Sequence, residues 1–233
     1  MKITFISDTH NKHKQLTQDL PGGDLLIHAG DISSMGYKHE IEQFCKWFDS
    51  LTNYSSVVFI AGNHDFGFEK RPEETMEIVN SYKWITYLQD SLLHFASEND
   101  SENVEIAKIY GSPWQPEFHN WAFNLPKNGW ELEQKWNDIP EDTDILITHG
   151  PAFGILDTIS GQYDNLGCEV LTNRIKKIKP KIHVCGHIHS GYGYVFDGDT
   201  HFINASVLDE QYQYTQKPLT VEWDPVTNNL EFI

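Results

Sequence analysis

An α/β fold with a mixed sheet and a β-rich C-terminal end is predicted by three features of this sequence. Short, β-branched apolar runs alternate with helically spaced segments. Almost every apolar run stops at Gly, Asp, Asn or His. Past residue 185 the helical spacing gives way to short strands. The first strand is Lys2–Ile6, followed by one at 25–28. Residues 37–51 carry Ile41, Phe44, Cys45 and Phe48 at helical intervals, and 57–61 is the third strand. A helix at 72–82 begins with Pro72, which suits a first turn. Strands at 144–148 and 181–185 flank a helix at 167–178. Short strands follow at Gly193–Phe196, His201–Asn204 and Leu219–Trp223. Such α/β layers accommodate two sheets packed face to face. The polar, acidic stretch 97–103 reads as a surface loop. With 233 residues, no repeat and no low-complexity linker, the chain reads as a single domain over 1–233, although its length also has room for two small ones.

Composition narrows the partners. A hydrophobic share of 39% with 13% aromatics fits a globular chain rather than a disordered one. The N-terminus runs directly into a strand without an apolar leader region, so no signal peptide is expected. No apolar run approaches the roughly 20 residues that span a bilayer, so no membrane partner is expected. Cys45, Cys168 and Cys185 are odd in number and far apart, which favours a reducing, cytoplasmic setting over a disulfide framework. The net charge of -17, with only Arg71 and Arg174 among the arginines, argues against long nucleic acid. The lysines at 176, 177, 179 and 181 read as a solvated helix end. A small phosphate compound remains compatible, provided local positive charge outweighs the acidic background.

Five short blocks follow strand-like runs: Asp8-Thr9-His10, Gly30-Asp31, Gly62-Asn63-His64-Asp65, His149-Gly150 and Gly186-His187-Ile188-His189. In open α/β sheets, sites gather beyond the carboxyl ends of the strands, where each block falls. Asp8 and His10 are two apart, as are His187 and His189, so an extended backbone would point each pair to one side. The oxygen and imidazole donors suit divalent manganese, zinc or iron. Taken singly, each block could be a turn or a strand exit; five in succession point to a metal site.

In order, these blocks resemble the signature of the calcineurin-like metallophosphoesterases. That resemblance implies a four-layer α/β/β/α sandwich of two mixed sheets flanked by helices. The likeness continues through Tyr110-Gly-Ser-Pro-Trp-Gln-Pro-Glu-Phe, Asn120-Trp-Ala-Phe-Asn, Thr148-His-Gly-Pro, Gly186-His-Ile-His-Ser-Gly-Tyr-Gly and Ile203-Asn-Ala-Ser. These segments are similar to the metallophosphoesterase-domain-containing branch, known for phosphodiesterase activity on cyclic nucleotides and model diesters. The resemblance implies two divalent ions, Mn²⁺ foremost with Fe or Zn as alternatives, and in-line attack by a metal-bridging hydroxide on a small phosphodiester. It places Asp8, His10 and His189 on one ion, Asn63, His149 and His187 on the other, Asp31 between them and His64 near the scissile phosphate. Some branch members lack the histidine found here as His187. Unlike the protein phosphatases, this chain has no Arg beside the Asp31 or His64 blocks. A phosphomonoesterase using the same site, or a catalytically weak nucleotide-binding scaffold, are the other readings.

Asp8 and Asp31 carry two negative charges, which two divalent ions reverse, so metal is expected to be needed for anion binding and for chemistry. His64 is the candidate catalytic group, protonating the leaving oxygen, or else a positioning residue that hydrogen-bonds the phosphate. Asp65 either orients a histidine or caps a turn. His28 is expected to pack behind the site, and His183 is ambiguous. His13, His39, His94, His119 and His201 have no motif context. Segment 114–123 is rich in aromatics. Trp114 is its candidate substrate contact, while Phe118, Trp121 and Phe123 are expected mainly to cover the core. Tyr192 is a second candidate contact.

Overall fold

The computed structural model describes residues 1–96, 106–127 and 129–233; the surface loop expected at 97–103 lies outside the described residues. The chain begins β1 (Lys2–Ile6), β2 (Gly23–His28), α1 (Lys38–Asp49) and β3 (Tyr54–Phe59). It continues through α2 (Phe66–Lys70), α3 (Pro72–Val79), β4 (Ile85–Tyr87), β5 (Ser91–Ala96) and β6 (Ile106–Ser112). Two-residue strands β7 (Gln115–Pro116) and β8 (Asn124–Leu125) precede α4 (Trp130–Asn137) and β9 (Ile145–Thr148). Then follow α5 (Glu169–Ile178), β10 (Ile182–Cys185), β11 (Gly193–Phe196), β12 (His201–Asn204), β13 (Leu219–Trp223) and β14 (Leu230–Phe232).

Two six-stranded mixed sheets form, in the orders β14-β13-β1-β2-β3-β4 and β11-β12-β10-β9-β6-β5. Strands β1 to β4 are mutually parallel, as are β6, β9, β10 and β12, with antiparallel strands at the margins. The alternation of side chains explains why the strands read as continuous apolar runs. Ile3, Phe5, Leu25, Ile27, Val58 and Ile60 of the first sheet pack against Ile109, Ile145, Ile147, Ile182, Val184 and Ile203 of the second. The intervening residues Ile6, Leu26 and Phe59 face Phe44, Phe48 and Phe68 of the first helical layer. Tyr110, Leu146 and Phe202 face Leu132 and Trp136 of α4 and Leu171 and Ile175 of α5. Each fully buried Ile or Phe contributes about 1.5–3 kcal/mol. Helix, sheet, sheet, helix is therefore the layer order, as the resemblance implied.

The longer expected elements lie within a few residues of their observed bounds. Among the short ones, α2, β4, β7, β8 and β14 carry too few residues for a period to show. No helix among the described residues is long and apolar enough to cross a membrane.

Candidate metal centre

All five motif blocks meet at one end of the sandwich, at the carboxyl ends of β1, β2, β3, β9 and β10. Just there the two sheets are joined. Ser7 and Ser206 form an isolated parallel bridge, and Val207 donates its N–H to the Ser7 carbonyl at 3.1 Å.

The backbone converges by a route the sequence did not suggest. An extended chain was expected to point each Asp-x-His or His-x-His pair to one side. Instead Asp8, His10, Asp31 and His187 adopt φ values of 54°, 38°, 56° and 67°. This left-handed region is unfavourable for residues with a Cβ, so it bends the chain sharply and costs energy locally. Glycines supply the room. A Cβ on Gly62 would lie 2.3 Å from Asp31 Oδ1, and one on Gly186 would lie 2.1 Å from Asp8 Oδ2.

The donor atoms then fall into two overlapping groups. On one side, His189 Nε2 is 3.5 Å from Asp8 Oδ1, and His10 Nε2 is 3.6 Å from Asp31 Oδ2. On the other, Asn63 Oδ1 lies 2.9 Å from His149 Nε2 and 2.8 Å from His187 Nδ1, while His149 Nε2 is 3.4 Å from Asp31 Oδ2. Donors about 2.1 Å from one ion sit about 3.0–3.4 Å from each other; the observed spacings of 2.8–3.6 Å straddle that range, with Asp31 beside both groups. The sets Asp8–His10–His189 and Asp8–Asp31–His149 each offer donors within 4.8 Å of one another. The buried His10 Nε2 has no hydrogen-bond partner, an orphan that an ion would satisfy.

Partners outside the cage aim its members. The Nδ1–H of His149 donates to the Ala29 carbonyl at 2.9 Å, and that of His189 to the Asp209 carbonyl at 2.8 Å, which turns both Nε2 atoms inward. Ser206 Oγ and the His187 backbone N–H both donate to the Asp8 carboxylate. Asp65 caps rather than orients a histidine. It accepts from the N–H groups of Ile32, Ser33 and Gly62 and from Ser33 Oγ, so it ties the Asp31 loop to the Asn63 loop. His28 stands behind the cage. Its Nδ1 accepts from Gly30 N–H, which leaves Nε2–H to donate to Thr9. His183 is likewise behind, donating to Thr148 Oγ1, whose hydroxyl donates to the Gly150 carbonyl.

Without ions, protons balance the buried carboxylates. Burial opposes charge on His149 and His189, but Asp31 beside the first and Asp8 beside the second push both up to about 9. Burial also opposes ionisation of Asp8 and Asp31, yet His189 beside the first and His149 beside the second hold each carboxyl well below its usual range. Burial lowers His10 and His187 to about 4 and leaves them neutral at pH 7.

His64 sits beside the shared carboxylate. Its backbone N–H donates to Asp31 Oδ1 at 2.8 Å, and its Nδ1–H donates to the Ser34 carbonyl at 2.9 Å. Glu40 holds that Ser34 loop by accepting from the N–H groups of Ser34, Met35 and Tyr37.

A cleft of about 380 Å³ opens over the cage. His10, Asp31, Asn63, His64, His187 and His189 form its floor, while Phe118, Trp121, Ile159, Leu166 and Tyr212 are among its walls. Among the described residues, Lys127 is the one lysine that lines it, with no arginine. Trp114 is placed elsewhere. Its Nε1 donates to Asp90 at 2.8 Å, its ring meets Phe123, and Lys135 Nζ lies 4.7 Å above it. Those three partners tie it to the flank of the segment, outside the cleft lining. Tyr192 is also outside, its hydroxyl donating to the Lys217 carbonyl. Trp121, expected to cover the core, and Tyr212, which no motif singled out, line the cleft instead. Trp121 lies against His64, and Tyr212 meets His10 and His189 at ring distances of 4.9 and 5.1 Å.

The pattern of the calcineurin-like phosphoesterases matches residues 1–191. Metallophosphoesterase domain-containing protein 1 of Homo sapiens is 38% identical over 242 residues, covering 95% of this chain and 70% of that protein. Among solved structures, TT1561 of Thermus thermophilus superposes with a TM-score of 0.66 at 13% identity, over 99% of this chain and 97% of that one. A 5'-nucleotidase from Candida albicans does so with a TM-score of 0.54 at 12% identity, over 99% of this chain and 51% of that one. At such identities these two likenesses concern the fold alone.

Proposed function

The chain belongs to the calcineurin-like phosphoesterase family, and we propose that within it this protein is a phosphodiesterase that hydrolyses small diesters, cyclic nucleotides among them, at a two-ion site. The observation that carries the proposal is the position of Asp31, 3.6 Å from His10 on one side and 3.4 Å from His149 on the other, beneath a cleft that, among the described residues, holds one lysine and no arginine. A monoester at neutral pH brings more negative charge than a diester and needs more cationic contacts to offset it. Lys127 alone is a meagre supply, which supports the diester. A phosphomonoesterase, the second reading, would have to draw its extra charge contact from Lys127.

A bound ion pair would polarise the phosphate oxygens and supply a water-derived nucleophile at neutral pH. Asp8, His10 and His189 would hold one ion, Asn63, His149 and His187 the other, and Asp31 both. The donor chemistry suits manganese, with iron or zinc as alternatives. His64 has its Nδ1–H engaged by Ser34, so Nε2 is the nitrogen left for the reaction. In its protonated form His64 gives that proton to the leaving oxygen as the phosphorus–oxygen bond breaks. Three separate, buried thiols, Cys45, Cys168 and Cys185, support a reducing, cytoplasmic setting.

The test is turnover by metal-stripped protein reloaded with Mn²⁺, Zn²⁺, Fe²⁺ or Mg²⁺. Bis(p-nitrophenyl) phosphate and cyclic nucleotides are expected to turn over faster than p-nitrophenyl phosphate. Faster monoester hydrolysis that collapses in Lys127→Ala would replace the first reading by the second. His64→Ala is expected to keep both ions by elemental analysis and to lose turnover by about 10²–10⁴-fold.

A further inference from the structure

His64 is held on three sides, and two of its neighbours, Ser34 and Trp121, have no part in the metal cage. The Ser34 carbonyl takes Nδ1–H, and the His10 ring abuts it edge-on at 4.6 Å. The indole of Trp121 covers it at 4.1 Å, with the planes 33° apart. Phe66 in turn lies 5.8 Å from that indole. The backbone fixes the two rings to each other. Ala122, next to Trp121, donates its N–H to the carbonyl of Asn63, next to His64, at 3.1 Å. Ala122 is fully buried, and the Phe123 N–H is anchored on Glu69 at 2.9 Å. The two rings thus flank a single buried hydrogen bond. The indole face turned to His64 is also occupied, and is not free to stack on a substrate.

Resting on the reading that His64 protonates the leaving oxygen, we propose that Trp121 is the positioning residue for that proton transfer. It fixes the plane of the imidazole so that Nε2 faces the oxygen, and it shields that side of the ring from water. In the step it serves, the Nε2–H bond breaks and the proton joins the leaving oxygen. That oxygen keeps the electron pair of the breaking phosphorus–oxygen bond. Trp121 touches neither atom. Misplacing a reacting group by about 1 Å costs on the order of 10²-fold, so a smaller side chain at this position acts on kcat. The loss is greatest where the leaving oxygen most needs the proton.

Metal-loaded wild type, Trp121→Phe, Trp121→Leu, His64→Ala and the double variant Trp121→Leu/His64→Ala are to be compared on methyl aryl phosphates, with phenols from p-nitrophenol to phenol as leaving groups. Trp121→Leu is expected to lower kcat by about 10-fold for p-nitrophenol and by about 100-fold for phenol, with KM within about twofold. Trp121→Phe, which keeps a flat face, is expected to recover most of the loss. On the His64→Ala background, Trp121→Leu is expected to add nothing. A rise in KM at unchanged kcat would assign Trp121 to substrate stacking and overturn the inference. So would an equal loss across all leaving groups, or losses that add in the double variant. If His64→Ala itself shows no loss that depends on the leaving group, the His64 reading falls and this inference with it. If His64→Ala behaves as expected and Trp121→Leu matches wild type, the inference alone falls.

Discussion

The two sheets bring different chemistry to the same seam. The first supplies Asp8, Asp31 and Asn63 with a single imidazole ligand, His10, whereas the second supplies His149, His187 and His189 and no carboxylate. Carboxylate therefore comes from one side and most of the imidazole nitrogen from the other. Neither half forms a cage alone, and the bracing crosses between them. His149 of the second sheet donates to Ala29 of the first, and the His187 backbone donates to Asp8. Binding on this plan depends on the seam between the sheets, and a substitution should cost according to the side it comes from.

The largest effect is expected from Asp31→Asn, which removes the charge both donor sets share. Turnover should fall by about 10³-fold or more, with both ions depleted in elemental analysis. His187→Ala takes one nitrogen from the other sheet and should deplete one ion only. Equal losses from the two would break the contrast between the sheets.

Acid should act mainly through the second sheet. His149 and His189, pushed up to about 9 by the carboxylates beside them, carry protons at neutral pH that an ion has to displace. The metal-free protein binds more protons than the loaded one. Metal affinity should therefore climb with pH and level off above about 9, gaining up to about tenfold per unit for each proton released. Chelator competition from pH 6 to 9.5 measures this, and a flat profile would show that the histidines are already neutral.

Ser206→Ala sharpens the comparison at a distance from the ions. It removes one donor to Asp8 and leaves every cage residue in place, so affinity for the first ion should weaken by about 10–100-fold while the second ion is retained. The smallest effect is expected from Trp114→Phe. Its loss of the Asp90 hydrogen bond should lower the melting temperature slightly and leave kcat/KM within about twofold.

The cage was legible in the sequence because each half of it is local. Every block is a strand end carrying two to four chemically distinctive residues, and the parallel order of β1, β2 and β3 in one sheet and of β9 and β10 in the other gathers such ends at one edge of each sheet. The walls were not legible, and Trp114 and Trp121 show why. They are seven residues apart in one aromatic segment, and composition treats them alike. The β7–β8 ribbon decides between them: Gln115 donates to the Phe123 carbonyl and Ala122 to Asn63, which turns Trp114 to Asp90 and Trp121 to His64. Tyr212 was hidden for another reason. It sits in a loop after β12 with φ of 56°, and only the fold returns that loop over His10 and His189.

The left-handed backbone at Asp8, His10, Asp31 and His187 sets local energy against purpose. Each such residue costs about 1–2 kcal/mol relative to an ordinary conformation, and His10 adds a buried nitrogen with no partner. These positions are frustrated: a better folder there is a worse ligand. Asn tolerates this backbone and is less bulky than imidazole, so His10→Asn should hold or raise the melting temperature of metal-free protein while abolishing the gain that added metal gives the wild type. One substitution would then read with opposite signs in two melting curves, and that difference measures how much folding stability has been traded for a poised site.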